Sequence, residues 1–209
     1  MVRVILILSM MTLVLSELFA QELLRPERNT AGTLINQDYF TMDHHPETVT
    51  LLTNVELGHF GKKVFRAFKD GRYQDVVADL NYALERISNH PGALSMLGAV
   101  AMETKVYSLP VPSFENALRL YPQYAYTHAQ YGTYLKAIGS YDKAVQHLKE
   151  AIRLDPQLSS AYVWLSEAYT KSGKPELARQ ADKEARRLSL SGKIEPQRKD
   201  SSLELKDKE

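Results

Sequence analysis

The sequence of 209 residues has no cysteine and almost no net charge. Without cysteine the chain can form no disulfide, and it has no thiol nucleophile, no thiolate metal site and no cysteine to carry a lipid. The 26 Lys and Arg residues nearly cancel the 25 Asp and Glu residues, so no net field would attract nucleic acid or an anionic membrane. These absences predict that nucleic acid is not a partner.

Motifs for catalysis and cofactor binding are absent as well. The sequence has no G-x-S-x-G elbow, no Walker loop and no G-x-G-x-x-G turn. His128 and His147 lie within ordinary helical patterns, and we assign the first to packing and the second to the solvated surface. The sequence therefore predicts a protein that is not an enzyme and that needs no cofactor.

A short histidine cluster, "MDHHPE" at residues 42–47, is the candidate for a metal site. The adjacent His44 and His45 point in different directions on any regular backbone, and no third ligand follows at i+4. Zinc spacings such as H-E-x-x-H are also missing from the chain. The segment is therefore interpreted as an exposed turn, and no metal is predicted.

The longest largely apolar run is short and lies at the N-terminus. It covers residues 4–15, follows the basic residue Arg3 and precedes Ala20, a plausible cleavage point. This is the layout of a secretory signal peptide, and crossing a bilayer core takes about 17–25 residues. We predict a signal peptide at residues 1–20 and export, with a bacterial periplasm as the destination that best suits a chain without cysteine. Leu18 replaces the small residue expected three positions before the cut, so an N-terminal anchor in the inner membrane, or secretion, stays an alternative.

A unit that recurs every 34 residues occupies the middle of the chain. In the copy that begins at Ala125, small residues stand at positions 8, 20 and 27, namely Gly132, Ala144 and Ala151. Positions 4, 7, 8 and 11 form one face of a first helix. Gly139 at position 15 ends that helix, and a proline at position 32 prevents the second helix from continuing. The pattern recurs in register from residues 91 and 159 and, less completely, from residue 57.

This pattern resembles the tetratricopeptide repeat, a helix-turn-helix unit with small residues at positions 8, 20 and 27. The resemblance implies an all-α fold, a short right-handed α-solenoid of such repeats. We place four repeats at residues 57–90, 91–124, 125–158 and 159–190. Residues 21–56 have no sustained period and are predicted to be irregular, and the charged residues 191–209 are predicted to form a disordered tail.

Three repeats depart from the pattern. The second has Pro110 and Pro112 where its second helix should begin, which predicts a delayed, short helix at residues 111–120. The first repeat reaches its proline three residues late, at Pro91, which predicts a longer second helix. The last repeat carries Asp182 at a normally apolar position, as expected of the polar cap that ends a solenoid.

In the resembled family, positions 2, 5, 6, 9, 12 and 13 line a concave surface. Here these columns mix apolar and polar side chains, and from them we predict the partner-binding residues Met96, Met102, Tyr126, Gln130, Thr133, Lys136, Trp164, Glu167 and Lys171. Exposed aromatic and methionine side chains are typical binding anchors. The single tryptophan, Trp164, is interpreted either as such an anchor or as packing between repeats.

One known use of the family is excluded residue by residue. Members that bind chaperone tails hold the peptide carboxylate with Lys, Asn and Arg side chains. The matching positions here hold Gly61, Phe65, Met96, Tyr126 and Gln130. A chaperone C-terminal tail is therefore not the expected ligand.

These features predict a non-catalytic scaffold or adaptor of the cell envelope whose concave groove binds a protein or peptide. Exported members of the resembled family suggest a role in assembly, secretion or pilus biogenesis. Two alternatives stay open. One is a homo-oligomerising module that pairs through its end face at residues 57–70, and the other is an accessory or carbohydrate-binding subunit of an envelope enzyme complex. A membrane would be contacted only through an uncleaved N-terminal segment.

Overall fold

The computed structural model describes residues 27–190, except for the side chain of His44. The predicted signal peptide and the predicted tail at residues 191–209 lie outside the described residues. A 3₁₀ helix at Tyr39–His44 precedes α1 (Pro46–Asn54), α2 (Lys62–Lys69), α3 (Tyr73–Arg86), α4 (Pro91–Thr104), α5 (Val111–Leu120), α6 (Ala125–Ala137), α7 (Tyr141–Leu154), α8 (Ser159–Lys171) and α9 (Pro175–Leu190). Residues 27–190 contain isolated bridges but no strand, so the predicted all-α class is confirmed. None of the helices in that range is long and apolar enough to cross a bilayer.

The helices stack as antiparallel pairs into an α-solenoid. α6 packs along α7, α8 packs along α9, and α7 also contacts α8, so the last two repeats form one continuous stack. Each repeat has a residue with a left-handed backbone just after its first helix. These residues are Gly71, Lys105, Gly139 and Gly173, with φ between 61° and 83°. They recur every 34 residues, which confirms the register of the repeat.

Small residues let the paired helices approach closely. A Cβ atom on Gly132 of α6 would lie 2.7 Å from the Cγ atom of Leu148 and 3.1 Å from the carbonyl oxygen of Ala144, both on α7. Leu148, Ala144 and Ala151 are fully buried. A larger side chain at Gly132 would therefore force these helices apart. This contact explains why the sequence keeps small residues at positions 8, 20 and 27.

In the second repeat, the two prolines keep the two helices, α4 and α5, from packing closely along each other. α5 covers Val111–Leu120, as predicted, and comes close to α4 at few points. Tyr134 of α6 fills the gap, since its ring packs against Gly98 and stacks on Phe114. The Tyr134 hydroxyl donates to the carbonyl oxygen of Tyr107 at 2.6 Å. The third repeat thus completes the core of the second.

The prediction of an irregular segment at residues 21–56 is wrong for residues 39–44 and 46–54, which are helical. Asp38 caps the 3₁₀ helix by accepting a hydrogen bond from the Phe40 N–H, and Pro46 begins α1 in its first turn. A π-helical turn at Val55–His59 then leads to α2. Local capping therefore forms helices where no hydrophobic period is visible.

The predicted lengthening of the second helix in the first repeat is also wrong. α3 has 14 residues, the same number as α7. Pro91 begins α4 instead of ending α3, and His90 caps α4 by accepting a hydrogen bond from the Ala93 N–H at 3.1 Å. Proline suits the first turn of a helix because the N–H groups there have no partner within the helix.

Residues 27–45, here called the N-terminal strap, cross the loops that follow the first two repeats. Asp38 is central to this contact. Its carboxylate accepts hydrogen bonds from Asn89 Nδ2 at 2.7 Å and from the Tyr124 hydroxyl at 2.5 Å. The side-chain oxygen of Asn89, which is fully buried, accepts a hydrogen bond from the Tyr39 N–H at 2.7 Å. The strap therefore ties together two loops that are distant in sequence.

Candidate functional site

A cavity opens between α4, α6 and α8, the first helices of the last three repeats. Its volume is about 290 Å³, and its lining consists of Leu94, Ser95, Gly98, Met102, Phe114, Tyr126, Gln130, Thr133, Tyr134, Ala137 and Trp164. Five of the nine predicted binding residues belong to this lining, namely Met102, Tyr126, Gln130, Thr133 and Trp164. The concave columns therefore converge on one place, and the role of these residues in binding stays a prediction.

Apolar side chains form most of the cavity wall. Phe114 is 1% exposed, whereas Met102 and Tyr126 are 41% and 40% exposed. A ligand that covers the exposed apolar side chains removes them from water, which contributes a favourable free energy of binding. Methionine also adapts its shape to an irregular ligand because its side chain is unbranched. The cavity is therefore suited to an apolar group.

Trp164 packs within the solenoid and also lines the cavity. Its partly buried side chain contacts the main core and a second cluster formed by Ala129, Ala151, Leu158 and Ala161. Trp164 therefore joins the third repeat to the fourth. The two interpretations of this residue are compatible, and its role as a binding anchor stays a prediction.

Gln130 is a deeply buried polar residue of the lining, with 9% of its surface exposed. Its Nε2 atom donates to the Pro91 carbonyl oxygen at 2.9 Å and to Ser95 Oγ at 2.8 Å. These bonds connect α6 to the start of α4. The Oε1 atom has no hydrogen-bond partner among the described residues. An unpaired buried acceptor costs about 1–3 kcal/mol, and this atom is closed to solvent in the structure.

The other four predicted binding residues are not part of the cavity lining. Lys136 forms an ion pair with Glu167 that links α6 to α8, and 16% of the Lys136 side chain is exposed. Met96 is partly buried against the core, and Lys171 is exposed near the end of α8. The ion pair between Lys136 and Glu167 is explained by contact between repeats, without a ligand.

Six lining residues are not predicted from the sequence: Leu94, Ser95, Gly98, Phe114, Tyr134 and Ala137. Most of them stand in columns other than those chosen as concave. Phe114 and Tyr134 line the site because the second repeat is opened. The sequence feature that could have indicated their position is the pair Pro110 and Pro112, which shortens α5 and separates it from α4.

His128 and His147 form a pair outside the cavity lining. Their Nδ1 atoms are 3.2 Å apart, and Nε2 of His128 is 3.2 Å from the Pro122 carbonyl oxygen. Burial lowers the pKa of both imidazoles, and burial together with His128 lowers the pKa of His147 to about 4. The prediction that His147 is solvated is wrong, since its partly buried ring lies against Tyr131. Both histidines are neutral at pH 7.

The segment "MDHHPE" is a 3₁₀ helix and the start of α1 rather than a turn, although Asp43, His45, Pro46 and Glu47 are exposed as predicted. Met42 within it is 1% exposed. His45 caps α1 by accepting a hydrogen bond from the Glu47 N–H at 3.3 Å, and Glu47 pairs with Arg28. Among residues 27–190, no group of three or more His, Cys, Asp or Glu side chains is arranged to hold a metal ion.

Comparison with known proteins supports the repeat at the level of sequence. Residues 132–173 match the family model for the TPR repeat, the tetratricopeptide repeat. The chain is 32% identical over 99 residues to small glutamine-rich tetratricopeptide repeat-containing protein 2 of Saccharomyces cerevisiae. This match covers 47% of the chain and 28% of the yeast protein, so the chain spans little more than a quarter of that relative.

Solved structures support the fold. MamA, residues 41 to the end, from Desulfovibrio magneticus RS-1 aligns with a TM-score of 0.50 and 21% identity, over 63% of this chain and 74% of that one. Another structure of the MamA protein aligns with a TM-score of 0.50 and 18% identity, over 71% of this chain and 83% of that one. At these identities the likeness concerns the fold alone. Residues 132–173 thus match the tetratricopeptide repeat, and the described residues have an α-solenoid fold.

Proposed function

We propose that this protein is a non-catalytic scaffold that binds a protein or peptide in the cavity between α4, α6 and α8. The observation that carries the proposal is an apolar cavity with two exposed apolar residues at its rim. Met102 is 41% exposed and Tyr126 is 40% exposed. Clusters of exposed aromatic and methionine side chains are common anchors in binding surfaces. The fold itself, a repeat solenoid, forms extended concave surfaces of this kind.

A location in the cell envelope, with a role in assembly, secretion or pilus biogenesis, is part of the same proposal. It is supported by the apolar run at residues 4–15 and by the absence of cysteine. We expect mature protein isolated from its native host to begin at Gln21. An N-terminus at Met1 in the mature protein would instead favour an uncleaved anchor.

Truncation of the exposed rim tests the proposed groove. We expect the double variant Met102→Ala and Tyr126→Ala to keep its helical circular dichroism but to lose the partner that co-purifies with the wild type. Trp164 is less suitable for truncation, because it packs against the core and its loss would also destabilise the repeats.

A matched control is the double variant Val49→Ala and Leu177→Ala. These side chains are as exposed, at 42% and 40%, but do not line the cavity. This control should retain the partner. Equal recovery of the partner with both double variants would rule out the cavity as its binding site.

Self-association through residues 57–70 is a second candidate, since Leu57 and Phe65 are 73% and 37% exposed there. Against it, the exposed Lys62, Arg66 and Lys69 lie on the same helix as Phe65. A symmetric pair would therefore bring like charges together. Light scattering decides between the two candidates, because a mass that does not change with concentration would exclude pairing.

A further inference from the structure

The N-terminal strap bridges the two loops that lead into α4 and α6. Towards α4, the Asp38 carboxylate accepts a hydrogen bond at 2.7 Å from Nδ2 of Asn89, which lies in the loop before α4. Towards α6, the same carboxylate accepts a hydrogen bond at 2.5 Å from the hydroxyl of Tyr124, the N-cap residue of α6. The hydroxyl of Tyr121, in the same loop as Tyr124, donates to the Asn36 carbonyl oxygen of the strap. One segment therefore links the starts of two helices that line the cavity.

The strap is also bonded to the loop before α4 through its backbone. The Gln37 N–H donates to the Arg86 carbonyl oxygen at 2.7 Å, and the Tyr39 N–H donates to the side-chain oxygen of the buried Asn89 at 2.7 Å. The loop before α6 is bonded to the strap through two tyrosine hydroxyl groups. The link between the strap and α6 can therefore be cut at these hydroxyl groups while the strap stays attached near α4.

The cavity extends along the crevice between α4 and α6, close to the ends that the strap holds. Its lining includes Leu94 and Ser95 in the first half of α4, and Tyr126 and Gln130 in the first half of α6. Side chains of the two helices meet in this crevice, since Gln130 Nε2 donates to Ser95 Oγ at 2.8 Å. A change in the separation of the two helix starts would therefore change the width of the cavity at this end. None of the lining residues belongs to the strap, so the strap acts on the cavity only through the helices.

We propose that the strap positions α4 and α6 for partner binding and that Asp38 is the positioning residue. This inference rests on the proposed function, because it concerns the affinity of the same cavity for its partner. A site that must be ordered during binding loses affinity, whereas a site already held in its bound shape does not incur that cost. Cutting the link between the strap and α6 should therefore weaken partner binding, although no residue of the cavity lining is changed.

Removal of two hydroxyl groups tests the effect on helix separation. The double variant Tyr121→Phe and Tyr124→Phe keeps both rings, so the packing of the Tyr124 ring on Phe40, with centroids 4.5 Å apart, is preserved. The distance between α4 and α6 is measured in the full chain by double electron–electron resonance between nitroxide labels at Glu103→Cys and Ala137→Cys. Both positions are exposed, and the absence of cysteine from the chain makes the labelling specific. We expect the double variant to shift or broaden the distance distribution of the labelled parent chain.

Partner binding is compared in the same variants without labels. We expect the tyrosine double variant to recover several-fold less of the co-purifying partner than the wild type. The matched control is Tyr162→Phe, which removes a hydroxyl group on α8 that is 3.5 Å from the Pro156 carbonyl oxygen and outside the cavity lining. This control should match the wild type in both measurements. If the double variant does not fold, Tyr124→Phe alone, which removes the bond to Asp38, is measured in the same way.

An unchanged distance distribution, or full recovery of the partner, in the tyrosine variants overturns the proposal. The proposed function is judged separately, by the double variant Met102→Ala and Tyr126→Ala. Loss of the partner there, with full recovery in the tyrosine variants, would leave the cavity as the binding site and remove the role of the strap. The distance measurement needs no partner, so it tests the positioning even where the proposed function fails.

Discussion

At the scale of single residues, position 15 shows what the sequence could and could not reveal. Gly139 is predicted to end a helix, and its φ of 83° confirms this. Lys105 stands at the same position of the second repeat and has φ of 61°, although lysine gives no sign of a left-handed backbone. The repeat imposes the conformation there, and the residue type opposes it. Only the 34-residue register could have identified Lys105 as a residue with a left-handed backbone.

Lys105→Gly should therefore stabilise the protein. A left-handed backbone costs a residue with a Cβ atom about 1–2 kcal/mol, and glycine at this position would relieve that cost. Part of the resulting gain in stability is lost, because glycine has greater freedom in the unfolded chain. We expect the free energy of unfolding in urea to rise by about 0.5–1 kcal/mol. Gly139→Ala should lower it by about 1 kcal/mol, although a Cβ there meets nothing within 4 Å. A loss of stability in Lys105→Gly would contradict the account.

The paired histidines predict a dependence of stability on pH. The pKa of His147 is lowered to about 4, mainly by burial, while an imidazole in the unfolded chain titrates near pH 6.5. As the pH falls from about 6.5 to 4, the unfolded chain takes up a proton that native His147 does not, so the free energy of unfolding falls. Above about pH 6.5 this contribution is complete and constant.

The variant His147→Gln should lose less stability than the wild type between pH 6.5 and pH 4, as measured by urea unfolding at a series of pH values. Glutamine does not titrate in that range. The control His45→Asn changes an exposed histidine and keeps a residue that can cap α1. Identical pH profiles for the wild type and His147→Gln would show that burial of His147 does not contribute to the pH dependence of stability.

At the scale of elements, regular features were predictable and the strap was not. The start of α5 follows from Pro110 and Pro112, because proline fits only the first turn of a helix. The strap is held by single polar contacts, such as that between Asp38 and Asn89, which are 51 residues apart. Contacts of this kind leave no periodic pattern in a sequence.

Asp38→Ala should release the strap. It removes the acceptor for Asn89, which is fully buried, and for the Tyr124 hydroxyl, whose pKa is raised to about 12 by burial and by this bond. Hydrogen bonds to charged groups contribute about 1.5–3 kcal/mol each, so we expect the loss of these two bonds to cost about 3–6 kcal/mol. Hydrogen exchange should become faster in residues 27–45 and in the loop at residues 87–90, with α8 and α9 unchanged.

Asp142→Ala is the matched control, because the Asp142 side chain is 88% exposed and pairs with Lys174 at the surface. It should leave exchange in residues 27–45 unaltered. Unchanged protection of the strap in Asp38→Ala would mean that the strap is held by its apolar contacts instead.

At the scale of the whole molecule, the candidate site arises from an irregularity in a regular stack. A solenoid of identical repeats would present a smooth concave surface, whereas here the second repeat is opened and Phe114 becomes part of a cavity wall. The repeat register predicts Met102, Tyr126, Gln130, Thr133 and Trp164 as neighbours. The depth of the cavity depends on how α4, α5 and α6 pack together, which the register does not determine.

The most direct test of the central claim, that a partner occupies this cavity, is site-specific photo-crosslinking in the native host. A photoreactive residue replaces Ser95, an exposed residue of the lining, or Lys143, an exposed residue of α7 outside it. We predict one discrete crosslinked partner from position 95 that is absent when Met102 and Tyr126 are both alanine, and no such partner from position 143. A partner that crosslinks from position 143 and not from position 95 would contradict the account.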